Sequence, residues 1–559
     1  MKDLLINHLQ AVVAEAHSLG HLKTGDSGVP ISLEVPKRDT QGDFSSTLAL
    51  SLAKREGRPP REVATLLVSL LEGRCPSIER MEVAGPGYIN FFMTKAFWLQ
   101  TILKVHRERA SYGRSNAGKD KAVHIEFVSA NPTGPLHVAS GRAAALGDAL
   151  GRLLESVGYR ISREYYMNDV GRQMDLLGRS TYLRYRELFG ETVVFPEESY
   201  RGAYVADIAK MLKASEGDRF LQADEATHLP FFTTYSYRTI ADWIQTVLHR
   251  FGVVFDRWFS EAELHESQEI EAVLALLKSR QLLFEKEGAS WVATTRYGDD
   301  KDRVVIRQDG RKTYFASDIA YHRNKFERGY DRLIDIWGAD HHGYIGRIQA
   351  AVAAMGYAPE RFHILTHQLV NLLRDGKPVR MSKRAGAFVT LEEVIDEVGV
   401  DATRFFFLMR RSDTAVDFDL ELAKKASNDN PVYYVQYAYA RLCSIVRVAE
   451  AQGWEVDRVI REAKVEDMAC LNLPEELGLM KQLSRYPDLV QSAAEALEPH
   501  RITFYLQTLA GMLHRYYFRC RIITEDRPKT SARLVLATAV RIVLKNGLDI
   551  LGIGAPERM

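Results

Sequence analysis

The chain has 559 residues and 46% of them are hydrophobic, enough for about three or four domains with cores of ordinary size. Lys plus Arg number 74 and Asp plus Glu 73, so bulk charge names no partner, and any nucleic-acid surface must come from local basic patches. Cys75, Cys443, Cys470 and Cys520 form no CxxC step; that argues against a zinc knuckle or a disulfide framework and fits a reducing cytoplasm.

In chain order, Leu4, Leu5, Leu9, Val12, Val13 and Ala16 come first, at helical spacing, and predict an amphipathic helix. Asp3, Asn7, His8 and Gln10 interrupt it, so it is no signal-peptide core, and no apolar run approaches the roughly 18 residues of a membrane span. "VAGPGYINFFM" (Val83 to Met93) reads as turn then strand, and the polar, basic "RERASYGRSNAGKDKA" (Arg107 to Ala122) as a linker. In "VHIEFV", Val123, Ile125 and Phe127 alternate with His124 and Glu126, a strand signal that leaves Glu126 able to face a pocket. Leu146, Ala149, Leu150, Leu153, Leu154 and Val157 then step by three and four, with Gly158 at the stop, which predicts a helix. Strand, tight loop and helix begin a βα unit, and ligands of such sheets bind outside the carboxyl ends of the strands. From about 181 to 260 the sequence reads as a helical insertion; strand-like runs return at "SWVATT", "RVVIR" and "LIDIWGA"; from 431 onward helical stripes dominate. The expected organisation is multidomain α/β: a small α+β domain over 1–110, an α/β domain over 120–430 carrying the insertion, and an all-α bundle over 431–559.

"NPTGPLHVASGRAAALGDAL" (Asn131 to Leu150) sets a Pro- and Gly-bent turn and His137 just before a helix, where backbone N–H groups and the helix dipole suit phosphate oxygens. "KPVRMSKRAGAFVTL", from Lys377, gathers Lys377, Arg380, Lys383 and Arg384 around a Met-Ser step; a basic loop of this kind can close over a triphosphate. The pair resembles the HIGH and KMSKS signatures of class I aminoacyl-tRNA synthetases. Together with "VHIEFVSANPTGPLHV", "REYYMNDVGRQM", "YFASDIAYH", "WGADHHGY", "VQYAYARLCSI" and "LGIGAPERM", it resembles the arginyl-tRNA synthetase family across essentially the whole chain.

The resemblance implies a Rossmann-like parallel-sheet catalytic domain, an N-terminal tRNA-binding domain and a C-terminal anticodon-binding bundle. It implies activation of L-arginine with ATP and transfer of the arginyl group to the 3′ end of tRNA(Arg), with AMP and pyrophosphate released, by a cytoplasmic monomer. Mg²⁺ would accompany ATP as a hard cation held mostly by the phosphates, with no permanently bound cofactor. By resemblance His137 and Lys383 are catalytic, and Pro132, Thr133, Gly134, Ala139, Ser140, Arg380, Met381 and Ser382 join them around ATP. Glu126, Asn131, Tyr314 and Asp318 would hold arginine, the two acids facing a guanidinium that wants carboxylates in a fork. Tyr314 and Asp318 are four apart and could share a helix face. "GADHHGY" would line the same pocket; Asp340, His341 and His342 stay open as its contact, with His341 taken provisionally. Adjacent His residues do not share a helix face, and no other His–carboxylate spacing supports a metal site.

Two places depart from the family pattern. The usual His-x-Gly-His string is His137-Val138-Ala139-Ser140 here. Ala139 adds a methyl group where adenine would lie on bare backbone, and Ser140 offers a hydroxyl that could donate to a phosphate or cap the helix. In the basic loop Arg380 and Arg384 replace Lys and Ser while Lys383 is kept. Slower or weaker use of ATP is expected, not inactivity. For RNA, Tyr88 and Asn90 of "GPGYIN" could stack on and hydrogen-bond an unpaired base, and "HRYYFRCR" sets Arg515 and Arg519 among Tyr516, Tyr517 and Phe518, a composition that reads splayed bases. Gln436 and Tyr437 could also face RNA. Two alternatives stand beside this reading: a nucleotidyltransferase acting on a small molecule, which needs no helical tail, and a non-catalytic tRNA-binding paralogue suggested by Ala139 and Ser140.

Overall fold

The computed structural model describes residues 2–25, 29–36, 38–222, 224–379 and 389–559. The chain forms two compact units: Met1–Tyr112 with Leu442–Tyr486 and Gly511–Val543, and Gly113–Arg441 with Pro487–Ala510 and Leu544–Met559.

In the first unit the opening stripe is the helix Lys2–Ser18. Leu5, Leu9, Val12, Val13 and Ala16 are buried, whereas Leu4 faces solvent. A four-stranded antiparallel sheet follows in the order Leu33–Glu34, Phe44–Ser46, Tyr88–Met93, Ile78–Ala84. The helix Lys95–Glu108 is capped by Thr94, which accepts from the Phe97 N–H. It carries Phe97 and Trp98 into a cluster with Phe44, at ring separations of 6.3 and 6.1 Å. The last quarter of the chain is helical, as expected: Pro431–Ala451, Pro474–Ala496, His500–Arg519 and Arg527–Leu551 are its long helices.

The second unit is built on a five-stranded parallel sheet in the order Phe362–His367, Arg332–Gly338, Ala122–Glu126, Arg160–Met167, Arg257–Ser260. Helices cover both faces of such a sheet, so His124 and Glu126 are buried along with Val123 and Ile125. The helix Val138–Ser156 leads from the middle strand to the next. It lies so close that a Cβ at Gly147 would fall 2.2 Å from the Phe127 ring. Strand order reverses between Ala122–Glu126 and Arg332–Gly338, and the crevice at that switch point is where open α/β sheets take ligands. The helical stretch comprises Arg172–Glu187, Ala203–Glu216 and Glu225–Arg250, held together by Tyr185, Phe220 and Phe232. Of the later strand-like runs only "LIDIWGA" joins the parallel sheet. The other two fold with Leu283–Lys286 into a separate antiparallel sheet.

Candidate active site

At the switch point Glu126 ends one strand, and Asp335 stands beside it in register on the neighbouring strand. A cavity of about 360 Å³ opens there, with Glu126, Ser129, Tyr314, Asp318, Trp337 and His341 in its wall. Tyr314 and Asp318 come from the first turns of the helix Tyr314–Glu327, where Thr313 accepts from the Ala316 N–H as its cap. Tyr314 is 64% exposed at the mouth, whereas the Asp318 carboxylate points inward and receives the Tyr344 hydroxyl. Of the three polar candidates in "GADHHGY", His341 is the one in the cavity wall. Asn131 is not brought to the cavity; it is exposed, and its amide donates to Gln173 Oε1 at 2.9 Å. The turn after Glu126 holds Val128 at φ 70° and Ser129 at φ 40°. A β-branched residue in that left-handed region is strained, and such strain gathers at functional sites.

Behind the wall lies a buried ionic cluster that the sequence reading missed. Lys325, two turns beyond Asp318 on the same helix, donates to Glu126 and, at 2.8 Å, to Asp335 Oδ1. His322 Nε2 lies 2.9 Å from Asp335 Oδ2 and its Nδ1 2.7 Å from the Asp318 carbonyl. The helical spacing of Asp318, His322 and Lys325, steps of four and three, was the available signal. Burial holds the Glu126 carboxyl above its ordinary range against the pull of Lys325. Asp335 is just as buried, but Lys325 and His322 outweigh that and keep it well below. Burial also raises Asp318, with only partial relief from Tyr344. Glu261 is pushed by burial up to about 7, and the nearby charges of Asp318 and Asp169 add to the rise. Of these raised acids Glu126 and Asp318 line the cavity, which suits it to a cation.

The turn from Asn131 to Ser140 delivers His137 to a helix start. The helix begins at Val138, so His137 is its N-cap, with Nδ1 accepting the Ala139 N–H at 3.1 Å. Ser140 lies inside the first turn and is therefore not the cap, which corrects that part of the expectation. With Nδ1 accepting, a neutral ring carries its proton on Nε2. Pro132 is buried, Thr133 and Gly134 are half-buried, and so are Ala139 and Ser140. Tyr204, from the helix Ala203–Glu216, donates to the Thr133 carbonyl at 2.7 Å and braces the turn. Arg380, Met381, Ser382, Lys383 and Arg384 lie outside the described residues. Their flanks do not: the Val379 N–H donates to the Leu372 carbonyl at 2.9 Å, and the Leu391 N–H to the Leu136 carbonyl at 2.8 Å. Thr390 forms a backbone bridge with His137 itself.

Residues 100–417 match the family described as "tRNA synthetases class I (R), catalytic domain", residues 3–93 "Arginyl tRNA synthetase N terminal domain" and residues 435–559 "DALR anticodon binding domain". A curated "Arginine--tRNA ligase" of Syntrophotalea carbinolica is 53% identical over 95% of this chain and 95% of its own. One from Geobacter sp. is 50% identical over 97% of each. The chain belongs to the arginyl-tRNA synthetase family. The arginyl-tRNA synthetase of Thermus thermophilus, 22% identical, shares the fold with a TM-score of 0.74 over 99% of this chain and 100% of its own. A methionyl-tRNA synthetase of Mycobacterium tuberculosis, 12% identical, shares it at 0.52 over 77% and 92%.

The RNA contacts expected for an arginyl-tRNA synthetase divide by burial. Tyr88 is exposed at the start of its strand, but Asn90, two residues on, is buried and accepts from the Ser45 hydroxyl at 2.8 Å. Near the end of the helix His500–Arg519, Arg515, Tyr517, Phe518 and Arg519 face solvent, with Arg519 paired to Glu475. Tyr516 is 0% exposed and its hydroxyl donates to Glu476 at 3.1 Å. Gln436 is buried too, donating to Asp401 Oδ2 at 2.8 Å and to the Gly554 carbonyl at 2.9 Å. Asn90, Tyr516 and Gln436 are thus interior hydrogen-bonding residues and not RNA-facing ones, because composition reports which side chains are present and not which way they point. No helix among the described residues is long and apolar enough to cross a membrane.

Proposed function

We propose that this synthetase-family chain is an arginine–tRNA ligase that joins L-arginine to ATP as arginyl-adenylate, releasing pyrophosphate, and then passes the arginyl group to the 3′ end of tRNA(Arg), releasing AMP. The observation that carries the reading is Asp318, a half-buried carboxylate that accepts a hydrogen bond from a neutral phenol, in a cavity at the strand ends. A guanidinium is planar, permanently charged and rich in donors, and it supplies what that carboxylate lacks.

In this reading the guanidinium meets Asp318 in the cavity, with Glu126 held behind it by Lys325, Tyr314 and His341 at the mouth, and Asn131, outside the cavity, toward the amino acid's polar head. ATP lies along Pro132, Thr133 and Gly134, its base against Ala139 and Ser140 and its phosphates at the helix start. An arginine carboxylate oxygen attacks the α-phosphorus in line, and the bond to pyrophosphate breaks. His137 donates through Nε2 to the phosphate oxygens, and Lys383 adds a cation from the loop that Arg380, Met381 and Ser382 shape. Donors placed where charge grows lower such barriers most. The terminal ribose hydroxyl then attacks the arginyl carbonyl, and AMP leaves. Mg²⁺ arrives with ATP as part of that substrate, held chiefly by phosphate oxygens. Tyr88, Arg515 and Arg519 are the proposed tRNA contacts, and the enzyme works as a monomer in the cytoplasm.

Arginine-dependent exchange of pyrophosphate into ATP, run with and without tRNA, tests this reading. Exchange that requires arginine and is promoted by tRNA is expected. Exchange driven by a different amino acid, or RNA binding without exchange, would overturn it.

A further inference from the structure

We propose that Lys325 is a specificity-determining positioning residue: an internal cation that occupies the Glu126–Asp335 pair and so leaves Asp318 as the carboxylate that takes the substrate's guanidinium. The inference rests on the arginine–tRNA ligase reading above.

The sheet creates the problem that Lys325 solves. Glu126 and Asp335 are in register on adjacent parallel strands and both are buried, so two acids carried on strands about 5 Å apart share a medium that screens them poorly. The Lys325 ammonium is 0% exposed and donates to both. It also stands 4.3 Å from the Tyr321 ring centroid, which favours a cation on that side. The other carboxylate oxygens are served as well: Asp335 Oδ2 by His322 at 2.9 Å, and Glu126 Oε1 by the Ser129 hydroxyl at 2.8 Å. Asp318 lies two turns back along the helix, and among the described residues its carboxylate receives the neutral Tyr344 hydroxyl and no cationic donor. Lys325 therefore sets how deep the substrate cation goes. Without it the guanidinium would be drawn past Asp318 toward the pair, and the arginine carboxylate would withdraw from the α-phosphate.

A double-mutant cycle tests this. K325M, D335N and K325M/D335N are compared with wild type by pyrophosphate exchange, giving separate KM values for arginine and ATP and a kcat, with folding followed by circular dichroism. K325M leaves Glu126 and Asp335 without their cation and should raise the arginine KM about tenfold or more while the ATP KM moves by less than about twofold, whereas D335N keeps Glu126 paired with Lys325 and should move the arginine KM by less than about threefold. The double change leaves one carboxylate without its cation in place of two and should lower the arginine KM at least about threefold from the K325M value. Losses that simply add, an ATP KM that moves with the arginine KM, or a double variant less well folded than either single would overturn the inference. If K325M alone is too unstable to assay, the double variant must still show a higher arginine KM than D335N, which keeps Lys325 on Glu126. A wild-type chain without arginine-dependent exchange would sink the ligase reading, whereas wild-type exchange with additive losses sinks this inference alone.

Discussion

Burial keeps the Asp318 carboxyl above its ordinary range before any substrate arrives, and Glu261 close by is pushed up to about 7. A protonated carboxyl cannot pair with a guanidinium, and a bound guanidinium stabilises the ionised form. Arginine affinity should therefore increase as pH rises through the raised range of Asp318, and arginine should displace protons from the protein while that carboxyl is still protonated. Calorimetry in buffers of different ionisation enthalpy, repeated across a series of pH values, reads the released protons directly. Asp318→Asn should weaken arginine by about 30-fold or more and reduce the proton release, since one partner of a buried charged pair is gone. His137 has two duties that substitution separates. His137→Asn keeps an N-cap acceptor for Ala139 and should leave the unfolding midpoint nearly unchanged, whereas His137→Ala should cost about 1 kcal/mol. Both should lose about 10²-fold or more in activation rate if the Nε2 donor serves the phosphate; equal activity in the Asn variant would reduce His137 to a cap. Asp318 and Tyr314 were singled out through the family resemblance; their spacing of four said only that they could share a helix face. Lys325 was not, since a lysine in a charged helical stretch ordinarily faces solvent, and only the parallel sheet behind it turns that position into an interior one.

The helix Val138–Ser156 carries the departure from the family's usual string on its first turn. Ala139 and Ser140 follow the cap directly, so changing them touches helix stability and ATP contact together. Ala139→Gly with Ser140→His should improve ATP affinity or activation rate while costing about 0.5–1 kcal/mol in the helix. Exchange kinetics and a thermal scan on the same sample separate the two effects, and unchanged or poorer ATP use would mean that the site is already adapted to alanine and serine. At this scale the sequence told existence better than phase. The stretch from His514 to Arg521 was recognised as helical, aromatic and basic, but which aromatic turns inward depends on its partner, and Glu476, 40 positions earlier, is what draws in Tyr516. Strand identity behaved similarly: "SWVATT" and "RVVIR" are strands, but nothing local said that they would leave the parallel sheet for a sheet of their own.

The order of motifs along the chain made the family readable from end to end, whereas the two-unit arrangement was not, because each unit gathers segments hundreds of positions apart. Within the second unit Arg404 is the clearest case. It is fully buried and donates to the Leu551 carbonyl at 2.9 Å, the Phe251 carbonyl at 3.1 Å and Asp148 at 2.5 Å. Arg404→Met strands those acceptors and should cost about 3–5 kcal/mol. Differential scanning calorimetry should show the loss in the transition that arginine binding shifts upward, and a variant melting like wild type would refute the assignment. The same guanidinium has a bearing on biogenesis. During translation Arg404 leaves the ribosome long before Leu551, so its binding partners arrive in two instalments. The arginine-binding unit can collapse early, but it cannot lock until the final helix is out, and a nascent chain stalled short of that helix would be handed to chaperones with a charged side chain still searching for its place.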